Sequence, residues 1–216
     1  MQQSFQKTTS IKILEQYPPN ISHRHPQSLD FIHDFVRPET ALEKAIIQNE
    51  SWIEGAFWGE PRPGHPEGKI IFHIREVLDN VDKICDDKVL RQQLRIITLI
   101  HDTFKHQEEK IRPRKDWTKH HAVFATRFAE QFIDQQYLLD IIELHDDAYY
   151  AWGTAHYRAD EERGMKKLQA LIQRVGLENM QLFYLFFKCD TGTGDKTQAP
   201  IKWFEERAEG IKVINW

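Results

Sequence analysis

Apolar residues recur along most of this chain with the period of an amphipathic helix. The sharpest case is Ile70, Ile74, Val77, Leu78, Val81 and Ile84, which fall on one continuous stripe. The spacing of Leu42, Ile46, Ile53 and Phe57 predicts a helix over 39–58. Similar patterns predict helices over 90–103, 120–133, 137–147, 160–175, 178–190 and 200–209. A stiff loop, Pro61-Arg62-Pro63-Gly64-His65-Pro66-Glu67-Gly68, precedes the sharpest stripe, and a charged loop occupies 105–117. Strand signals are nearly absent, with no sustained period-2 alternation and no Asn-Gly hairpin. Pro18, Pro19, Pro26 and Pro38 break any long helix over 1–38. The pattern therefore predicts an all-α domain of seven or eight helices over 39–216, preceded by an irregular N-terminal arm over 1–38.

The 216 residues suffice for a substantial core. The formal charge of -4, from 29 basic and 33 acidic residues, gives no global attraction to nucleic acid or anionic lipid. The stretch 1–10 is polar and lacks an apolar signal core. No apolar run approaches the length needed to span a bilayer. A soluble, cytoplasmic protein is the expectation. Cys85 and Cys189 lie far apart inside apolar runs. One disulfide is compatible with this, but two buried thiols in a reducing cytosol are expected.

Six polar residues fall at the ends or on the apolar faces of these segments: His73, His101, Asp102, His121, His145 and Asp190. Removing an uncompensated polar group from water costs roughly 2–7 kcal/mol, so six of them call for a shared partner. A divalent metal is the simplest one, because imidazole and carboxylate are its usual ligands. His73 lies at the edge of its stripe, near Val77 and Ile84; taken alone, a half-buried surface histidine is the plainer reading. His101-Asp102 ends the run Ile96-Ile97-Thr98-Leu99-Ile100. The chain holds two more His-Asp pairs, His33-Asp34 and His145-Asp146, and the first is set aside because it sits in the irregular arm. His121 aligns with Ala125, Phe128 and Phe132, whereas His120 points about 100° away and is expected to be exposed. His145 follows Leu138, Ile141 and Ile142. Asp190 aligns with Phe183, Phe186 and Phe187, where a carboxylate is neutralised unless a cation or several donors meet it. The plainer alternative is a helix-terminal aspartate turned to water, with Gly192 ending the helix.

In chain order these residues read His, His-Asp, His, His, Asp, and the chain resembles the HD superfamily of metal-dependent phosphohydrolases over about residues 64–206. The stretch Gly64-His65-Pro66-Glu67-Gly68-Lys69 resembles the segment before the first ligand in several members. His121 and His145 match the subgroup with a second metal, which includes di-iron hydrolases of symmetric dinucleoside tetraphosphates and cyclic-dinucleotide phosphodiesterases. Lys105 completes the His-Asp-x-x-Lys pattern of those enzymes. No Gly-Tyr-Pro follows His145, which argues against the cyclic-di-GMP branch, and no Glu-Asp pair of the guanosine-tetraphosphate hydrolases follows His101-Asp102.

The resemblance implies an HD-type helical domain with one or two divalent ions per chain, drawn from Fe, Mn, Ni, Co, Zn or Mg. Asp102 is the expected bridge, with His73, His101 and Asp190 around one ion and His121 and His145 around the other. The implied reaction is hydrolysis of a phosphate ester or anhydride of a nucleotide or small phosphorylated metabolite, since a metal lowers the pKa of bound water towards about 7. Lys105 is a candidate for gripping a phosphate oxygen, and Arg112, Arg114, Lys115 and His65 are further candidates for substrate contacts. A non-catalytic metal-binding sensor on the same fold is the alternative. A third reading has no metal, with the histidines paired to Asp146 or Asp147. The segment 192–197 resembles a phosphate-binding loop, but its spacing is wrong and no strand precedes it. Neither a membrane nor a nucleic acid is implied as a partner, and a homodimer is left open.

Overall fold

The computed structural model describes residues 28–108 and 116–215. Its first helix, α1 (Leu29–Val36), lies inside the stretch expected to be irregular. Ser28 caps it by accepting from the Phe31 N–H, and Phe31, Ile32, Phe35 and Val36 are buried on one face. Pro38 therefore bounds a helix rather than excluding one, because α1 has already ended at Arg37. The rest of the expected arm, 1–27, lies outside the described residues. The single helix expected over 39–58 is two helices, α2 (Ala41–Ile47) and α3 (Glu50–Ala56). Asn49, in extended conformation, caps the second by accepting from Ser51 N–H, and this local cap breaks the helical register.

Next come α4 (Ile70–Ile84) and α5 (Lys88–Ile100), which carry the strongest apolar stripes. They are followed by α6 (His121–Ala129), α7 (Gln136–Leu144), α8 (Asp147–Tyr157), α9 (Glu161–Val175), α10 (Met180–Thr191) and α11 (Ala199–Arg207). Among the described residues there is no strand, only one isolated bridge between Arg62 and His65. The protein is an all-α single domain.

Helix α8 has no counterpart in the sequence reading. Its sequence, DAYYAWGTAHY, mixes small, aromatic and polar residues without a clean apolar stripe. It is held by close packing against α9. A Cβ placed on Gly164 would lie 2.7 Å from the Ala155 Cβ and 2.9 Å from the Ala151 carbonyl oxygen. Glycine and alanine thus bring two backbones together, a contact that periodicity does not report.

The aromatic helix α10 packs against both α4 and α5, α5 against α7, and α6 against α7. Arg75 ties α1 to α4 by donating to the Val36 carbonyl at 2.8 Å. Buried Arg95 meets buried Glu43 at 2.9 Å, fastening α2 to α5. The C-terminal turn of α5 is held twice over. Trp52 Nε1 donates to the Leu99 carbonyl at 2.7 Å, and Thr103 Oγ1 donates to the same oxygen at 2.8 Å. Gly55 packs so closely there that a Cβ would sit 1.9 Å from the Thr103 carbonyl oxygen. This turn presents His101 and Asp102. Cys85 and Cys189 are buried free thiols. Among the described residues, no helix is long and apolar enough to cross a membrane.

Candidate metal centre

The six residues singled out by the sequence come together. His73 projects from the first turn of α4, His101 and Asp102 from the turn after α5, and His121 from the first residue of α6. His145 follows α7, and Asp190 sits in the last turn of α10. One face of the group holds His73, His101 and Asp190, and another holds Asp102, His121 and His145. Within each set the potential ligand atoms lie within 4.8 Å of one another.

Asp102 faces both sets. Its Oδ2 is 3.5 Å from His101 Nε2 and 3.7 Å from His73 Nε2, while its Oδ1 is 3.3 Å from both His121 Nε2 and His145 Nε2. Asp190 Oδ1 lies 2.9 Å from His73 Nε2 and 3.8 Å from His101 Nε2. Asp190 is partly exposed yet turned inward, which sets aside the alternative of a carboxylate released to water.

The rings are held from behind. His101 Nδ1 is 3.0 Å from the Thr98 carbonyl and His145 Nδ1 is 2.8 Å from the Ile142 carbonyl. His121 Nδ1 is 2.6 Å from Glu108 Oε2, and His73 Nδ1 is 3.4 Å from both Glu67 Oε1 and Thr193 Oγ1. All four Nε2 atoms consequently point to the common centre. The Nε2 atoms of His73 and His101 and the Oδ1 of Asp102 are buried without a hydrogen-bond partner. Unpaired buried groups of this kind are rare and costly. Three of them converging on one centre, from residues whose chemistry is that of metal ligands, fit a divalent ion.

The electrostatics of the cluster are uneven. Burial pushes the His101 imidazolium down to about 3, aided by the neighbouring His145 and His73. Burial also disfavours a charge on His145, but Asp146 and Asp102 outweigh it and hold the ring up at about 9. Desolvation opposes the Asp102 carboxylate, yet Lys105 and the histidines around it keep its pKa well below the usual range. Asp190 is depressed in the same way, with Lys196 the leading cause against burial.

Two lysines flank the centre. Lys105 Nζ is 2.5 Å from Asp102 Oδ2, and Lys196 Nζ is 2.9 Å from Asp190 Oδ1. Both line a cleft of about 480 Å³, together with His65, Asp102, His145 and Tyr149. A groove of similar volume, about 500 Å³, runs past Ile172, Leu177 and Arg207. It holds none of these histidines, and the chemistry belongs to the first cleft.

Two features escaped the sequence, and a third, Asp146, was named only as a partner of the histidines in the metal-free reading. Asp146 reaches the site, its Oδ2 lying 3.6 Å from His121 Nε2 and 3.7 Å from His145 Nε2; the signal was the second His-Asp pair. His120, expected to be exposed, is buried, with Nε2 3.0 Å from Tyr150 Oη. It is the N-cap of α6 with extended backbone, its Nδ1 accepting from Ala122 N–H, so helical angles do not apply to it. Lys196 was hidden in the segment 192–197, which borders the cleft and ties to the 61–68 loop and to α4. Asp195 Oδ1 accepts from Gly64 N–H at 2.7 Å, and Gly194 N–H donates to Glu76. His33, set aside earlier, is exposed on α1. Arg112, Arg114 and Lys115 lie outside the described residues.

Compared with protein-family models, curated proteins and solved structures, the chain gave no match.

Proposed function

We propose that this protein is a metal-dependent phosphohydrolase of the HD type, acting on a phosphate ester or anhydride of a nucleotide or another small phosphorylated metabolite. The observation that carries the reading is the convergence of His73 Nε2, His101 Nε2 and Asp102 Oδ1, buried and without a well-formed hydrogen bond, beside the cleft that Asp102, His145 and Asp190 line. His73, His101 and Asp190 would hold one divalent ion, and His121 and His145 a second, with Asp102 facing both. When bound, such ions supply a water nucleophile at neutral pH and neutralise charge on a phosphoryl group.

The chain's own residues supply the rest. Four carboxylates, Asp102, Asp146, Asp190 and Asp195, and two lysines line the cleft, so one divalent ion neutralises it and two leave it net positive and attractive to a polyanion. Lys105 and Lys196 are each a compact ammonium at the cleft wall, suited to a phosphate oxygen as point charges. His65 lines the mouth beside them. Two buried free thiols accord with a reducing, cytoplasmic setting.

The test has two steps. Elemental analysis of protein purified without chelators reads metal content. Hydrolysis of p-nitrophenyl phosphate and bis-p-nitrophenyl phosphate, then of a panel of nucleotides, dinucleoside polyphosphates and sugar phosphates, with Mn²⁺, Fe²⁺, Co²⁺ or Ni²⁺, reads activity. Metal without hydrolysis favours a sensor or binding module on the same fold. Absence of any bound metal removes both readings.

A further inference from the structure

The four histidines are held by two different devices, and their position on the helices explains why. His101 and His145 come at the C-terminal ends of α5 and α7, where the last carbonyls lack intrahelical partners. Each ring donates from Nδ1 to the carbonyl three residues back, Thr98 or Ile142. Any sequence provides that acceptor. His73 and His121 sit instead in the first turns of α4 and α6. A helix N-terminus offers free N–H groups and no spare carbonyl, so Nδ1–H needs an acceptor from a side chain.

A carboxylate stands at that place in both cases. Glu108 Oε2 is 2.6 Å from His121 Nδ1. Glu67, itself buried, has Oε1 3.4 Å from His73 Nδ1 and 2.9 Å from His65 Nδ1. Thr193 Oγ1 also lies 3.4 Å from His73 Nδ1, with its hydroxyl donating to the Asp190 carbonyl at 2.7 Å.

We infer that Glu108 and Glu67 are positioning residues for the metal centre: Glu108 accepts from His121 Nδ1–H, while Glu67, hydrogen-bonded to His65, sets its charge 3.4 Å behind His73 Nδ1 beside the Thr193 hydroxyl, and each so favours a basic Nε2 turned towards the ion. The inference rests on the metal reading of the site and goes beyond it. Neither glutamate belongs to the two ligand sets that Asp102 faces. A carboxylate behind a ligating imidazole fixes the tautomer and raises ligand basicity, and its loss typically costs about 10–100-fold in metal affinity. Glu67 stands behind a histidine of one proposed ligand set and Glu108 behind a histidine of the other. Glu108 also follows directly on the short turn Lys105–Gln107, so the turn that carries Lys105 ends on the residue that orients His121.

The experiment uses the full chain and Zn²⁺ as probe. Zn²⁺ affinity is measured by competition with a chromophoric chelator in the wild type and in Glu108→Met, Glu108→Gln, Glu67→Met and Glu67→Gln. Methionine keeps volume but removes the acceptor, whereas glutamine keeps an acceptor oxygen without the charge. The expected order is wild type tightest, the Gln variants intermediate and the Met variants about 10–100-fold weaker, with apo melting temperatures unchanged. The visible absorption of Co²⁺-loaded protein should change in the Met variants, as the ligating rings turn. If a Met variant fails to fold, its isosteric Gln partner carries the comparison. Equal affinities in all five proteins overturn the positioning role and leave the proposed function standing. Affinity lost only in step with apo stability also overturns it, since that marks a structural residue. A wild type that binds no divalent ion overturns this inference and the metal reading together.

Discussion

His121 Nε2 and His145 Nε2 approach to 3.2 Å across the junction of α6 and α7, with Asp102 Oδ1 3.3 Å from each. Two imidazole lone pairs held this close repel unless a proton or a cation lies between them. Replacing either ring by alanine is expected to lower metal content towards one equivalent per chain, not to zero, because the set around His73 remains. Inductively coupled plasma analysis of His121→Ala and His145→Ala checks this. Full wild-type occupancy in both would make the two rings core residues.

His101→Ala and Asp102→Ala are expected to abolish metal binding and any hydrolysis. Asp102 faces both sets of ligand atoms, and His101 Nε2 is one of the buried atoms without a partner. Circular dichroism should show helical content largely intact, since α5 ends at Ile100, before either residue. Metal retained at the wild-type level would remove the pair from the site.

Asp190→Asn tests the aromatic helix. A neutral amide is a poor ligand, so the rise in melting temperature on adding metal should be much smaller in the variant than in the wild type. Without metal the variant should be somewhat less stable than the wild type at neutral pH, because it loses the charge that pairs with Lys196 and His73 and whose pKa is depressed in the fold. Equal metal-induced shifts would count against Asp190 as a ligand.

Gly55→Ala is expected to damage the centre from a distance. The added methyl would meet the Thr103 carbonyl oxygen at 1.9 Å, and that oxygen belongs to backbone which cannot swing aside. Overpacking of this kind costs about 1–3 kcal/mol and displaces the turn carrying His101 and Asp102. Denaturant melts and metal titration of the one variant should both move. A shift in stability alone would uncouple α3 from the site.

The helices of this chain were largely legible because burial imposes a period on the sequence. The stripe from Ile70 to Ile84 specifies α4 almost residue for residue, and the inward faces of His121 and His145 follow from the same arithmetic. The pattern failed where another force decides. Asn49 divides one expected helix by a side-chain cap, and α8 depends on the close approach of Gly164 to Ala151 and Ala155, which carries no periodic trace. His120 was misplaced because a helical wheel describes only residues inside a helix.

The sequence by itself determined the all-α class and the residue types able to meet a metal, since apolar periodicity and side-chain chemistry are local properties. Tertiary structure alone decided that His73, His101, Asp102, His121, His145 and Asp190 share one centre, because five separate elements must pack before their ends meet. It also added Lys196, Glu67 and Glu108, and brought Asp146 to the same centre. Their roles depend on what each faces across the cleft, and a sequence records neighbours along the chain but not across space.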